Sequence, residues 1–82
     1  MALIGKSELR KLDQILKMVE RECDKQSVIL EEVDDYIFVC KILTNIDLDE
    51  EVSWENQADV IIIVEDLCGW MNLNYHQLIK EL

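Results

Sequence analysis

The chain has no proline and only two glycines among 82 residues. An all-β domain of this length needs turn residues at short, regular intervals, so their scarcity favours long helices. Long hydrophobic runs are also missing. The longest are Tyr36 to Cys40 and Val60 to Val64, far short of the roughly 20 apolar residues that span a bilayer. Lys6, Glu8, Arg10 and Lys11 arrive before the core of a signal peptide could form. Cysteine is sparse and odd in number, with Cys23, Cys40 and Cys68 in apolar or amphipathic contexts. Small secreted domains use denser, paired cysteines as staples. Reduced core thiols and a cytoplasmic location are therefore expected.

What the chain does have is a 50% apolar composition beside a net charge of −10. That apolar content suffices for one core and is too high for a disordered chain. A single domain over residues 1–82 is expected. At this size only ~60% of the unfolded surface is buried, so stability should be marginal.

Leu9, Leu12, Leu16, Val19 and Cys23 recur at three- and four-residue steps, with Ile15 beside them. This spacing predicts a helix over 8–23, with Ser7 as its cap. Over 28–46, the polar Glu31, Asp34, Asp35, Lys41 and Asn45 share one face at helical spacing. The preferred reading is a central helix. The rival is a hairpin, Val28–Val33 and Tyr36–Leu43, turning at Asp34-Asp35, although Tyr-Ile-Phe-Val-Cys does not alternate as a half-solvated strand should. Asp47 and Glu50 have capping-box spacing, and Ser53 is a second candidate cap. From there to Met71, Val60, Ile61, Val64, Leu67, Cys68 and Met71 share a face. The run Val60–Val64 is the strongest β signal, because branched Cβ atoms suit a pleated surface. Gly69 is expected near the end of this element, and Asn74 caps a last short helix with Tyr75, Leu78, Ile79 and Leu82. The expected fold is an all-α bundle of three long helices and a short C-terminal one. The alternative is α+β, with strands near 28–43 and 60–64.

Charge is distributed unevenly. Residues 1–27 set six cations, Lys6, Arg10, Lys11, Lys17, Arg21 and Lys25, against five carboxylates, a net of +1. Residues 28–82 set only Lys41 and Lys80 against thirteen carboxylates, a net of −11. Two clusters stand out: Glu31, Glu32, Asp34 and Asp35, then Asp47, Asp49, Glu50 and Glu51, with Glu55 and Asp59 following. One explanation is a solvated face that keeps the chain soluble. The functional one is a docking surface for a basic protein, which speeds association and rejects anionic partners. Direct nucleic-acid binding is not expected, because it needs cationic contacts to phosphate.

Asp34, Asp35 and Tyr36 form the sharpest sub-site, since a tyrosine beside two or more carboxylates can grip a lysine or arginine. Tyr36 at the core boundary is the equal alternative. Trp54, beside the second cluster, is read as a packing or staple-like contact, with partner contact as the functional alternative. Trp70, amid Leu67, Cys68 and Met71, is read as core.

No catalytic residue, metal site or cofactor is expected. Cys23, Cys40, Cys68 and His76 are separated by 17, 28 and 8 residues, with no close pair to begin a zinc knuckle. Asn45, Asp47 and Asp49 resemble the start of an EF-hand loop. Glu50 then stands where glycine is needed, and Asn56 where a bidentate glutamate closes the loop. Phosphate loops and nucleophile motifs are lacking.

Size, acidity and helix count are similar to those of the immunity proteins that neutralise nuclease bacteriocins. The likeness is one of format, and no residue role is carried across. It implies a basic protein partner such as a nuclease or a nucleic-acid-binding factor. Two further readings remain: a homo-oligomerising adaptor that uses an apolar face, with Phe38 and Ile62 standing on otherwise polar stripes, and a nucleic-acid mimic whose acidic clusters align.

Overall fold

In the computed structural model, which describes residues 4–82, the leucine-rich N-terminal stretch forms α1, Lys6–Lys25. Its apolar stripe buries Leu12, Ile15, Leu16, Val19 and Cys23. The helix starts earlier than the Ser7 cap predicts. Gly5 is the N-cap, with no side-chain bond, and Ser7 lies in the first turn. A single 3-10 turn follows at Leu30–Glu32, then α2 at Asp34–Asp47, α3 at Trp54–Trp70 and α4 at Tyr75–Glu81. The all-α expectation holds, and no strand occurs among the described residues. The Val60–Val64 run is helical. Val60 and Val64 are fully buried while Ile62 faces outward, so tertiary packing overrides the β preference of branched side chains.

The helix expected over 28–46 begins only at Asp34. Its late start follows from how α1 ends. Ser27 adopts a left-handed φ of 58°; its N–H donates to the Asp24 carbonyl, and the Val28 N–H to the Cys23 carbonyl at 2.9 Å. This is the Schellman arrangement, which satisfies the last carbonyls of a helix. The same device closes α2 through Asp49 (φ 59°) and α3 through Asn72 (φ 59°). There the Glu50 N–H donates to Asn45 and the Leu73 N–H to Cys68. Three long helices thus stop without a glycine at the left-handed position, where glycine is the usual occupant.

At the N-termini, the Ser53 hydroxyl accepts the Asn56 N–H at 3.3 Å, and the Asn74 side chain accepts the Gln77 N–H at 3.1 Å. Both are the caps expected from the sequence. Asp47 is instead the last residue of α2, so the Asp47–Glu50 capping box does not form. Gly69 lies inside α3, one residue before its end.

The Ile4 N–H bonds Gln57 at one end, and Cys23 meets Met71 at the other, so α1 and α3 run parallel. α2 returns antiparallel, and both α2 and α4 pack on α1 and α3. One core joins Ile4, residues of α1, Leu30, and residues of α2 and α3, with Tyr75, Leu78 and Ile79 of α4 packed against it.

Candidate functional site

α2 fixes where the two acidic clusters sit. Glu31, Glu32, Asp34 and Asp35 precede or open it, whereas Asp47, Asp49, Glu50 and Glu51 close or follow it. Thirteen helical steps of 1.5 Å put the clusters about 20 Å apart. They are two surfaces at opposite ends of the bundle, not one.

At the first end, all four carboxylates are exposed. Asp34 and Asp35 lie in the first turn of α2, where the helix dipole favours negative charge. Tyr36 is half-buried and donates its hydroxyl to Glu20 of α1. Burial, that bond and the nearby Cys40 hold its hydroxyl protonated well above the usual tyrosine range. Tyr36 therefore ties α1 to α2, and its hydroxyl is already engaged.

At the second end, Asp47, Asp49, Glu50, Glu51 and Glu55 are all exposed. Lys6 reaches across from α1. Its ammonium donates to the Asp47 carbonyl at 3.0 Å and the Ile46 carbonyl at 3.4 Å, and pairs with Asp49 at 3.3 Å. A cation there opposes both the negative end of the α2 dipole and the acidic loop. Beside it lies an open groove of about 600 Å³, floored by Ile4, Ile46, Val52 and Gln57 and rimmed by Asp49, Glu50, Glu51 and Trp54. Trp54 is 64% exposed, contrary to the packing role read from its position. Neither its ring nor Glu50 or Glu51 has a charged partner among the described residues.

Gln57 is the residue that sequence reasoning missed. It is 4% exposed and uses both ends of its amide. Oε1 accepts the Ile4 N–H at 2.9 Å, and Nε2 donates to the Val52 carbonyl at 3.1 Å. It thereby holds the N-terminal segment and the α2–α3 connection against α3, which sets the shape of the groove. The available signal was a polar side chain in the stripe otherwise made by Val60, Val64 and Leu67.

All thirteen carboxylates beyond residue 27 are exposed. Among the described residues, ion pairs engage only two of them, Asp49 with Lys6 and Glu65 with His76. The other three pairs, Lys11–Glu8, Lys17–Asp13 and Lys25–Glu22, lie within α1.

Apolar side chains also reach the surface. Trp70 is 61% exposed, against its expected core role, because it falls at the last turn of α3 away from the Val60, Val64 and Leu67 stripe. Ile62 is 57% exposed but stands between Asp59 and Asp66 on the outer face of α3. Phe38 is half-buried against the core.

Cys23 and Cys68 are buried and Cys40 partly so, all as free thiols. Burial, then Glu65, pushes the Cys68 thiol up to about 11, and burial with four surrounding carboxylates raises that of Cys23. No group of three or more His, Cys, Asp or Glu side chains among the described residues is placed to hold a metal ion, and no helix among them is long and apolar enough to cross a membrane. Comparison with family models, curated proteins and solved structures gives no match, so the site is read from its own geometry.

Proposed function

We propose that this chain is a small acidic binding module that masks a basic surface of a partner protein, in the manner of an inhibitor or antidote. Nuclease toxins and nucleic-acid-binding factors are the partner classes that suit it, since both carry cationic surfaces for phosphate. The observation that carries the reading is the exposed and largely unneutralised state of the thirteen carboxylates beyond residue 27. Like charge held this way opposes the folding of a marginal domain. A cationic partner relieves that repulsion on binding and is drawn in by it beforehand.

The test has two stages. Affinity capture from the source cell at low salt identifies a partner, and the purified partner is then titrated against the chain across a salt series. The proposal expects a basic partner whose association slows steeply with salt and whose own activity is blocked at equimolar chain. A partner of neutral or acidic surface, bound equally well at all salt concentrations, refutes it.

A second reading, self-association through an apolar helix face, draws on the exposure of Ile62 and Trp70. The acidic neighbours of Ile62 interrupt that face. Sedimentation over a range of concentrations separates the two readings, a persistent monomer supporting the first and a concentration-dependent dimer the second.

A further inference from the structure

We propose that the groove between the α2–α3 connection and the N-terminal segment is a seat for an arginine side chain of the partner; this rests on the acidic binding role above and locates it. The groove has an apolar floor, supplied by Ile4, Ile46 and Val52, and it is open to solvent. Trp54 stands at its mouth with most of its surface exposed, an arrangement that leaves a large apolar ring in water without a packing role.

Charge decides the occupant. Glu50 and Glu51 rim the groove and have no cation opposite them among the described residues. Lys6 also lines the groove, but its ammonium is already taken up by Asp49 and by the Ile46 and Asp47 carbonyls, which leaves the two glutamates in excess. Gln57 has both amide ends committed and serves as floor. The groups left free to bind are therefore two carboxylates, one indole face and an apolar floor. An aliphatic stem that ends in a planar cation satisfies all three. Its methylenes lie on the floor, its guanidinium stacks on the indole, and its N–H fork donates to a carboxylate. Lysine matches less well, because its ammonium is a more strongly hydrated point charge that cannot present a planar fork. Anionic ligands are repelled.

Gln57 gives the seat its shape before any ligand arrives. It draws Ile4 and Val52 toward α3 through one side chain, so the floor does not have to be assembled on binding, and preformed sites lose less entropy.

The test uses the full chain carrying Trp70→Phe, which leaves Trp54 as the sole fluorophore of its kind. The probes are short end-blocked peptides that present one arginine, lysine or citrulline between leucines, titrated at low salt and followed by Trp54 fluorescence and amide chemical shifts. The expected result is binding of the arginine peptide about tenfold more tightly than the lysine peptide, a difference of one tenfold step in affinity. The neutral citrulline peptide should bind more weakly still. Shifts should be confined to Glu50, Glu51, Trp54 and their neighbours. Trp54→Ala, and separately Glu50→Gln with Glu51→Gln, should each abolish the arginine preference, while Glu31→Gln with Glu32→Gln at the far end should leave it intact. Equal affinity for all three peptides, or shifts centred on Glu31–Asp35, overturns the seat. In either of those cases, salt-dependent binding of polylysine by the same samples separates the readings. If it persists, the acidic role stands without the groove; if it is also lost, both fail.

Discussion

Replacing Gln57 with alanine removes two hydrogen bonds at once and leaves their partners behind. The Ile4 N–H belongs to a residue that is 1% exposed, so water cannot reach it without displacing the segment. The Val52 carbonyl is half-buried and can recover part of its loss from solvent. An unsatisfied buried group costs about 1–3 kcal/mol, which puts the sum for the two near 2–4 kcal/mol. A domain of this size has a total stability of about 4–12 kcal/mol, so the variant should forfeit a substantial share. Urea unfolding followed by circular dichroism measures this as a lower midpoint with an unchanged slope.

Gln57→Glu makes the reasoning sharper. A neutral carboxyl can reproduce both bonds, accepting from Ile4 and donating to Val52, whereas the carboxylate cannot donate and is desolvated. Burial raises the folded-state pKa of the new carboxyl above its unfolded value. The sign follows: the variant should approach the wild type at acidic pH and fall away from it as pH rises through the folded pKa. A Gln57→Ala loss under about 0.5 kcal/mol, within the range of ordinary surface substitutions, would show that the clamp does not hold the two segments. A Gln57→Glu deficit independent of pH would point to the same failure.

Ser27→Gly should raise stability by about 1 kcal/mol, because a side chain at φ 58° bears the left-handed penalty that glycine avoids; a lower midpoint in urea would contradict it. Lys6→Met should destabilise by only about 0.5–1 kcal/mol, since the Lys6–Asp49 pair is well exposed at 54% and 84% and so is screened. That difference should shrink in high salt, and a salt-independent loss would indicate packing instead of charge. Cys68 links stability to alkaline pH. Its folded pKa is raised to about 11 from 9.0, so above pH 9 the unfolded chain gives up its proton first and stability falls. The loss should reach roughly 2–3 kcal/mol by pH 11, measured as the difference from Cys68→Ala over the same pH range. A parallel profile for the two proteins would exclude the linkage.

How much of this was legible in the sequence depended on whether a feature was local. The 3.6-residue period of Leu9 to Cys23 was sufficient for α1, and Ser53 and Asn74 announced their helices because a capping side chain bonds only three residues ahead. The ends of α2 and α3 were read to within a residue, at 46 and Met71 against Asp47 and Trp70, but the devices that close the helices and the start of α2 were not legible. Ser27, Asp49 and Asn72 occupy left-handed positions that composition assigns to glycine, and without that signal the 28–33 connection merged into α2. The tryptophans show a second limit. Trp54 and Trp70 lie at the two termini of α3, turned away from the stripe of Gln57, Val60, Val64 and Leu67 that stays buried along the whole helix, so hydrophobic character alone misplaced both. Tyr36 illustrates a third. Its hydroxyl partner, Glu20, is sixteen residues away on another helix, and no spacing rule reaches that far. The two acidic clusters were visible as composition, but their separation by the length of α2 was not, because it required knowing that α2 starts at Asp34 and stops at Asp47.

That separation bears on which carboxylates need a functional explanation. A distance of about 20 Å is more than twice the ~8 Å screening length at physiological salt, so the clusters scarcely repel each other and each can be weighed alone. Asp34, Asp35 and Glu55 occupy first turns of helices, where the dipole stabilises them by a few tenths of a kcal/mol or more. Their presence is accounted for by folding. Asp47 and Asp49 sit at the opposite, negative end of α2, where the same dipole opposes them, and the exposed Lys6 answers only in part. Glu50 and Glu51 precede the Ser53 cap outside any helix and add repulsion without a compensating bond. Neutral residues at Glu50 and Glu51 would relieve that repulsion without breaking an ion pair. On the proposed reading, the unpaired Glu50 and Glu51 beside the exposed Trp54 and the groove favour the α2–α3 corner as the docking end, since Tyr36 at the other end already spends its hydroxyl on Glu20.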